Sequence, residues 1–114
     1  MPILIVEDDA DIRESLAMLL DGEGYRVFSA ANGRAGLDLL PKMPRPCVIL
    51  LDLMMPVMDG WQFAHALETF DGYADVPVVL VTAYSNETRG IRHAGIIKKP
   101  VDVDALLACV ARHC

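Results

Sequence analysis

Val48-Ile49-Leu50-Leu51-Asp52-Leu53-Met54-Met55-Pro56-Val57-Met58-Asp59-Gly60 decides the reading of this chain. From Cys47 to Leu51 the run is apolar without alternation, and it stops at a carboxylate. A short continuous apolar run of this kind reads as a strand covered on both faces, the habit of a parallel sheet. Pro56 and Asp59-Gly60 mark a loop behind it, and a helix from about Trp61 to Glu68 follows. The acid at the end of the buried strand therefore lies on the carboxyl edge of the sheet, where open α/β folds bind their ligands.

The same pattern recurs to either side. Ile3–Val6 is a buried strand that stops at Glu7-Asp8-Asp9, and Val78–Val81 is one that stops at Thr82. Ile96–Lys98 is a brief fifth strand running into Lys99-Pro100, while Tyr25–Ala30 is a more exposed one. Between them lie segments of helical period. Ile12, Leu16, Leu19 and Leu20 share one helix face, with Asp9 or Asp11 as cap and Gly24 past the end. Asn32-Gly33 opens a second helix through Leu37, Leu39 and Leu40, terminated by Pro41 and Pro44. Asn86–Ala94 has room for one or two helical turns, so a helix there is short or absent. Val103–Arg112 closes the series with Val103, Leu106, Leu107 and Val110 on one face. Strands alternating with helices predict an α/β fold, a parallel sheet with helices on both sides and right-handed crossovers.

Bulk properties narrow the classes. A length of 114 residues predicts one domain, residues 1–114. The net charge of −6 disfavours nucleic acid or an anionic membrane as this domain's partner. The N-terminal apolar run is short and broken by three acids, unlike a signal peptide, and no window has the length of a membrane span. A cytoplasmic protein is expected. Cys47, Cys109 and Cys114 are odd in number and widely spaced. Cys47 reads as a small buried apolar residue, and the set reads as that of a reducing compartment.

The strand ends together carry the chemistry. Acids, a hydroxyl and an amine from distant parts of the chain meet along one edge. Crowded carboxylates repel, and one stays protonated unless a cation neutralises them. A hard, all-oxygen site without His or Cys suits Mg²⁺. Asp52 is then a carboxylate nucleophile toward phosphorus, and Lys99 and Thr82 are placed to hold the oxygens of a transferring phosphoryl group. Each residue has an ordinary reading as well: Asp9 as a helix cap, Lys98 as a solvated lysine, Asp52 and Thr82 as strand-end residues.

Four stretches, Ile3 to Asp9, Val48 to Gly60, Val79 to Ala83 and Lys99-Pro100, resemble the receiver domain of bacterial response regulators over essentially the whole chain. The resemblance implies a flavodoxin-like, doubly wound sheet of five parallel strands in the order 2-1-3-4-5. It makes Asp52 the phospho-acceptor, Asp8 a direct Mg²⁺ ligand, Glu7 a ligand through metal-bound water and the Met54 carbonyl the third protein ligand. Thr82 becomes the switch hydroxyl and Lys99 the family's lysine, its bond to Pro100 cis. The donor is a phosphohistidine on a histidine kinase or histidine phosphotransfer protein, and the phosphorylated form switches binding to an effector protein. Such a domain is a phospho-acceptor switch rather than an enzyme, with self-catalysed phosphotransfer and slow autodephosphorylation. Met54 and Tyr84, two residues past Asp52 and Thr82, border the path of the hydrolytic water; both are bulky, and exclusion of water there predicts a long-lived aspartyl-phosphate. The chain departs from the family in one place. Thr82 to Lys99 is compressed, and Ile96 stands where the family's switch aromatic belongs, three before the lysine.

Three rivals are weaker. A degenerate receiver that docks without phosphate would lack the acceptor, the lysine or the acidic pair, and all are present. An aspartate-based, Mg²⁺-dependent phosphatase carries a second acid two residues after the nucleophile, where this chain has Met54. A nucleotide-binding domain would follow its first strand with a glycine-rich phosphate loop, not with Glu7-Asp8-Asp9.

Overall fold

Strands β1 (Pro2–Val6), β2 (Arg26–Ala30), β3 (Val48–Leu51), β4 (Val78–Thr82) and β5 (Gly95–Lys98) pair in parallel in the order β2-β1-β3-β4-β5. The computed structural model describes residues 1–83 and 91–114. Among these, four α-helices accompany the sheet: α1 (Ala10–Gly22), α2 (Gly33–Leu39), α3 (Gly60–Glu68) and α4 (Val103–His113). A 3₁₀ turn, Leu40–Lys42, finishes the α2 segment at Pro41. Part of the expected Asn86–Ala94 segment, residues 84–90, falls outside the described residues; positions 91–94 are not helical.

Side-chain alternation along the strands sorts the core into two layers. Ile3, Ile5, Val48, Leu50, Val79, Val81 and Ile97 face α1 and α4, meeting Leu16, Leu20, Leu106 and Val110. Leu4, Val6, Ile49, Leu51, Val78 and Leu80 face the other way, against Leu40, Phe63, Ala64 and Leu67. β3 is therefore buried at every position, which is why its sequence shows no alternation. Each large apolar side chain so buried is worth roughly 1.5–3 kcal/mol.

The helix starts are specified locally. Asp9 caps α1 by accepting from the Asp11 and Ile12 amides, and Asn32 caps α2 through the Ala35 amide. Asp59 and Gln62 form a reciprocal capping box on α3. That cap turns the chain back onto the strand it has just left: the Gly60 amide donates to the Leu53 carbonyl at 2.9 Å.

One expectation is corrected. Cys47 is not a lone apolar filler, for it forms a disulfide with Cys114. The parallel topology brings the start of β3 and the end of α4 to the same, amino edge of the sheet, so cysteines 67 residues apart in sequence have Cα atoms 5.4 Å apart. Spacing along the chain carries no trace of this. In the chain-entropy picture a crosslink over such a loop restricts the unfolded chain by about 4 kcal/mol.

The return of α3 onto β3 admits no side chain at Gly60. A Cβ there would lie 2.6 Å from the Asp52 carbonyl oxygen and 2.6 Å from Leu53 Cα, both backbone atoms. Gly60→Ala is expected to destabilise the protein by about 2 kcal/mol or more in urea unfolding. Gly22→Ala, with nothing within 4 Å of its Cβ, is the control and should be neutral or stabilising. Equal stability of Gly60→Ala and wild type would mean that the β3–α3 loop is not held as described.

Candidate functional site

Strand register assembles the site. Val6 pairs with Leu51 and Leu51 with Leu80, so the residues that follow emerge together at the carboxyl edge. The Asp52 amide donates to the Val6 carbonyl at 2.9 Å, which sets Asp52 beside Glu7. On the other side Thr82 pairs with Lys98, and the Lys99 amide donates to the Thr82 carbonyl at 2.9 Å. The Lys99–Pro100 bond is cis, as the resemblance implied.

Glu7, Asp52 and Thr82 are the buried polar residues among those described, and all three are at this edge. Carboxylate oxygens of Glu7, Asp8 and Asp52 lie within 4.8 Å of one another. Lys99 Nζ is 2.5 Å from Glu7 Oε1 and 3.6 Å from Asp52 Oδ1. The solvent-exposed Asp8 closes the cluster from outside. Three carboxylates face one ammonium here, leaving an excess of two negative charges if all are ionised.

That excess shows in the protonation equilibria. Glu7 is pushed up to about 7, first by burial and then by its hydrogen bond to Asp52, against the opposing pull of Lys99. Burial alone would lower the Lys99 ammonium, but the hydrogen bond to Glu7 and the charge on Asp52 outweigh it, and the net shift is upward. The cluster thus favours the charged form of Lys99 and makes Glu7 easier to protonate than an ordinary glutamate.

The other expected residues fall as follows. Met54 is 52% exposed on the loop after β3. Thr82 is fully buried as the last residue of β4. Asp9 is occupied in capping α1, and Lys98 is exposed, so the ordinary reading holds for both. Ile96 is a partly exposed β5 residue with no ring to offer. Tyr84 lies outside the described residues. One contributor had no sequence signal: Arg13 on α1 donates from Nη1 to the carbonyls of Glu7 at 2.8 Å and Asp8 at 3.4 Å. It holds the backbone of the acidic pair from the first turn of α1, five and six residues further along the chain.

The donor set fits Mg²⁺. It consists of oxygens alone, its excess negative charge equals that of a divalent cation, and its carboxylates come from two strand ends held rigidly by the sheet. Receiver domains bind Mg²⁺ at such an acidic pocket, and to that class the fold and site point.

The chain belongs to the response regulator receiver domain family, whose model matches residues 3–111. It is 34% identical over 119 aligned positions to sporulation initiation phosphotransferase F of Bacillus subtilis, covering 97% of this chain and 91% of that one. Longer regulators among its relatives are matched over only 33–47% of their length. The chemotaxis protein CheY4 of Vibrio cholerae superposes with a TM-score of 0.89 at 30% identity, over 99% of this chain and 98% of that one. The response regulator TrrA of Thermotoga maritima, solved in complex with Mg²⁺ and BeF, superposes with a TM-score of 0.85 at 28% identity, over 99% and 98%. The chain is accordingly a receiver domain of two-component signalling.

The Glu7 shift fixes the sign of a pH effect on the metal-free protein. A folded-state value raised from 4.5 to about 7 contributes stability that is full below 4.5 and is lost as pH rises through about 7. Urea unfolding in EDTA should show this fall across that window, and Glu7→Gln should flatten it. A wild-type profile identical to that of Glu7→Gln would contradict the assignment.

Proposed function

We propose that Asp52 is the residue of this receiver that accepts the phosphoryl group, with Lys99 and Thr82 serving the transfer. The single observation that carries this reading is the buried Asp52 carboxylate 3.6 Å from the Lys99 ammonium, within an acidic cluster at the sheet's carboxyl edge. The donor is a phosphohistidine on a histidine kinase or phosphotransfer protein, and residues 1–114 act as one receiver unit. The setting is cytoplasmic; among the described residues no helix is long and apolar enough to cross a membrane.

An Asp52 oxygen attacks phosphorus in line with the P–N bond of the donor. The acyl-phosphate bond forms as that bond breaks, and the departing imidazole takes up a proton from solvent. Lys99 balances charge on the phosphoryl oxygens, for which it must turn from Glu7 toward Asp52. The Thr82 hydroxyl stands at the neighbouring strand end to donate to one of the same oxygens. Glu7, Asp8, Asp52 and the Met54 carbonyl would hold Mg²⁺, which supplies neutralisation of the remaining phosphoryl charge. Arg13 keeps the Glu7-Asp8 backbone in place throughout.

After incubation with acetyl phosphate and Mg²⁺, mass spectrometry should place a single added phosphoryl group on Asp52. Asp52→Asn should lose the label. Lys99→Ala should be labelled at least about a hundredfold more slowly, the order expected for removing a charge-stabilising donor. Undiminished labelling of Asp52→Asn would refute the reading, since it would put the acceptor elsewhere.

A further inference from the structure

A receiver fed from phosphohistidine works beside the ATP-dependent kinases of the cytoplasm, where thiols are kept reduced. This step rests on the cytoplasmic setting proposed above. A disulfide in that compartment is ordinarily a transient or sensing one rather than a permanent staple. The Cys47–Cys114 bond also joins two parts of the fold with different mechanical standing. Cys47 leads directly into β3, the strand buried at every position, whereas Cys114 caps the end of α4.

Both cysteines are only half-buried, so an external thiolate can reach the bond. Cys109, on the sheet-facing side of the same helix, is 4% exposed and a free thiol. The site is built for the reduced state as well. Cys47 Sγ lies 3.1 Å from the Pro2 carbonyl oxygen. In the disulfide this sulfur has no proton to donate; as a thiol it finds an acceptor already in place. Reduction therefore leaves Cys47 seated on the β1–β3 edge, and the part released is the end of α4.

We propose that Cys47–Cys114 is a reversible thiol-exchange site, and that its redox state sets how firmly the last turns of α4 are held to the sheet. The reductant is a cytosolic thiol of the glutathione class. Its thiolate attacks one sulfur of the pair, here taken as Cys114 Sγ. The Cys47–Cys114 bond breaks, and Cys47 leaves as a thiolate that takes a proton. A second glutathione thiolate resolves the mixed disulfide, giving the Cys114 thiol and one molecule of glutathione disulfide. Two electrons pass from the two glutathiones to the pair, and glutathione disulfide drives the reverse reaction. The device reaches the phosphorylation edge through α4 itself, because Val101 and Val103 at its start line an apolar groove of about 470 Å³ with Ile12, Leu16 and Leu19 of α1, beside Lys99.

The test uses the full chain equilibrated in glutathione buffers of graded composition, then denatured without reductant and labelled with a maleimide. One labelled thiol, Cys109, is expected at the oxidising end and all three at the reducing end, with the same midpoint from both directions. Hydrogen exchange over residues 103–114 should be at least about tenfold faster in the reduced protein, with β1 and β3 unchanged. In hydrogen exchange Cys114→Ala should match the reduced protein at every buffer composition, and Cys109→Ala should behave as wild type apart from its missing thiol. Asp52→Asn should keep the whole redox response, which separates this proposal from the assignment of the phospho-acceptor. Three thiols at the oxidising end, a bond that glutathione does not open, or α4 exchange indifferent to redox state would each overturn it.

Discussion

The ion cluster of Lys99 with Glu7 and Asp52 is the constraint on which the rest of the structure turns. It places two carboxylates and an ammonium at the buried edge of a parallel sheet, with a third carboxylate on its solvent side. Burying charge is costly unless it is paired, and one ammonium cannot pair three acids. The fold meets the cost in part by pushing Glu7 up to about 7, so that it takes a proton more readily than an ordinary glutamate. What remains is an excess of negative charge that Lys99 alone does not balance. Stability and function conflict at this spot: the same two core layers that make the sheet rigid force the acids together.

Much of this was legible in the sequence because strand ends are. A covered parallel strand is an apolar run, and the first polar residue after it must emerge at the carboxyl edge; Glu7, Asp52 and Thr82 follow that rule and are the buried polar residues among those described. The boundaries of β3, α3 and α4 agree with the sequence to within a residue, since Asp59-Gly60 and the apolar stripe of Val103–Val110 are strong local signals. What escaped depends on contacts made only in three dimensions. The Arg13 bonds to the Glu7 and Asp8 carbonyls need the first turn of α1 to be formed. Cys47 and Cys114 looked unrelated, because the spacing between two cysteines says nothing about which edge of a sheet each will reach. The capping box of Asp59 with Gln62 was written in the sequence and is a local signal that the reading passed over.

Positions 91–94 run into β5 without helical structure, and four α-helices are found among the described residues. Ile96, three residues before Lys99, is an exposed aliphatic residue of β5. The Lys99–Pro100 bond is cis, and α4 begins at Val103 behind its Asp102 cap. The groove that Val101 and Val103 line with Ile12, Leu16 and Leu19 lies beside Lys99, at the start of α4.

The central claim is that the acidic edge is a cation-demanding site rather than a self-sufficient ion cluster. Calorimetric titration of the unphosphorylated protein with Mg²⁺ tests it most directly, because it needs no donor, no partner and no turnover. Wild type should bind one equivalent, and Asp8→Ala should bind about tenfold more weakly or worse while unfolding at no lower urea concentration, since it removes a repelling, exposed carboxylate. Equal Mg²⁺ affinity in the two proteins would contradict the claim.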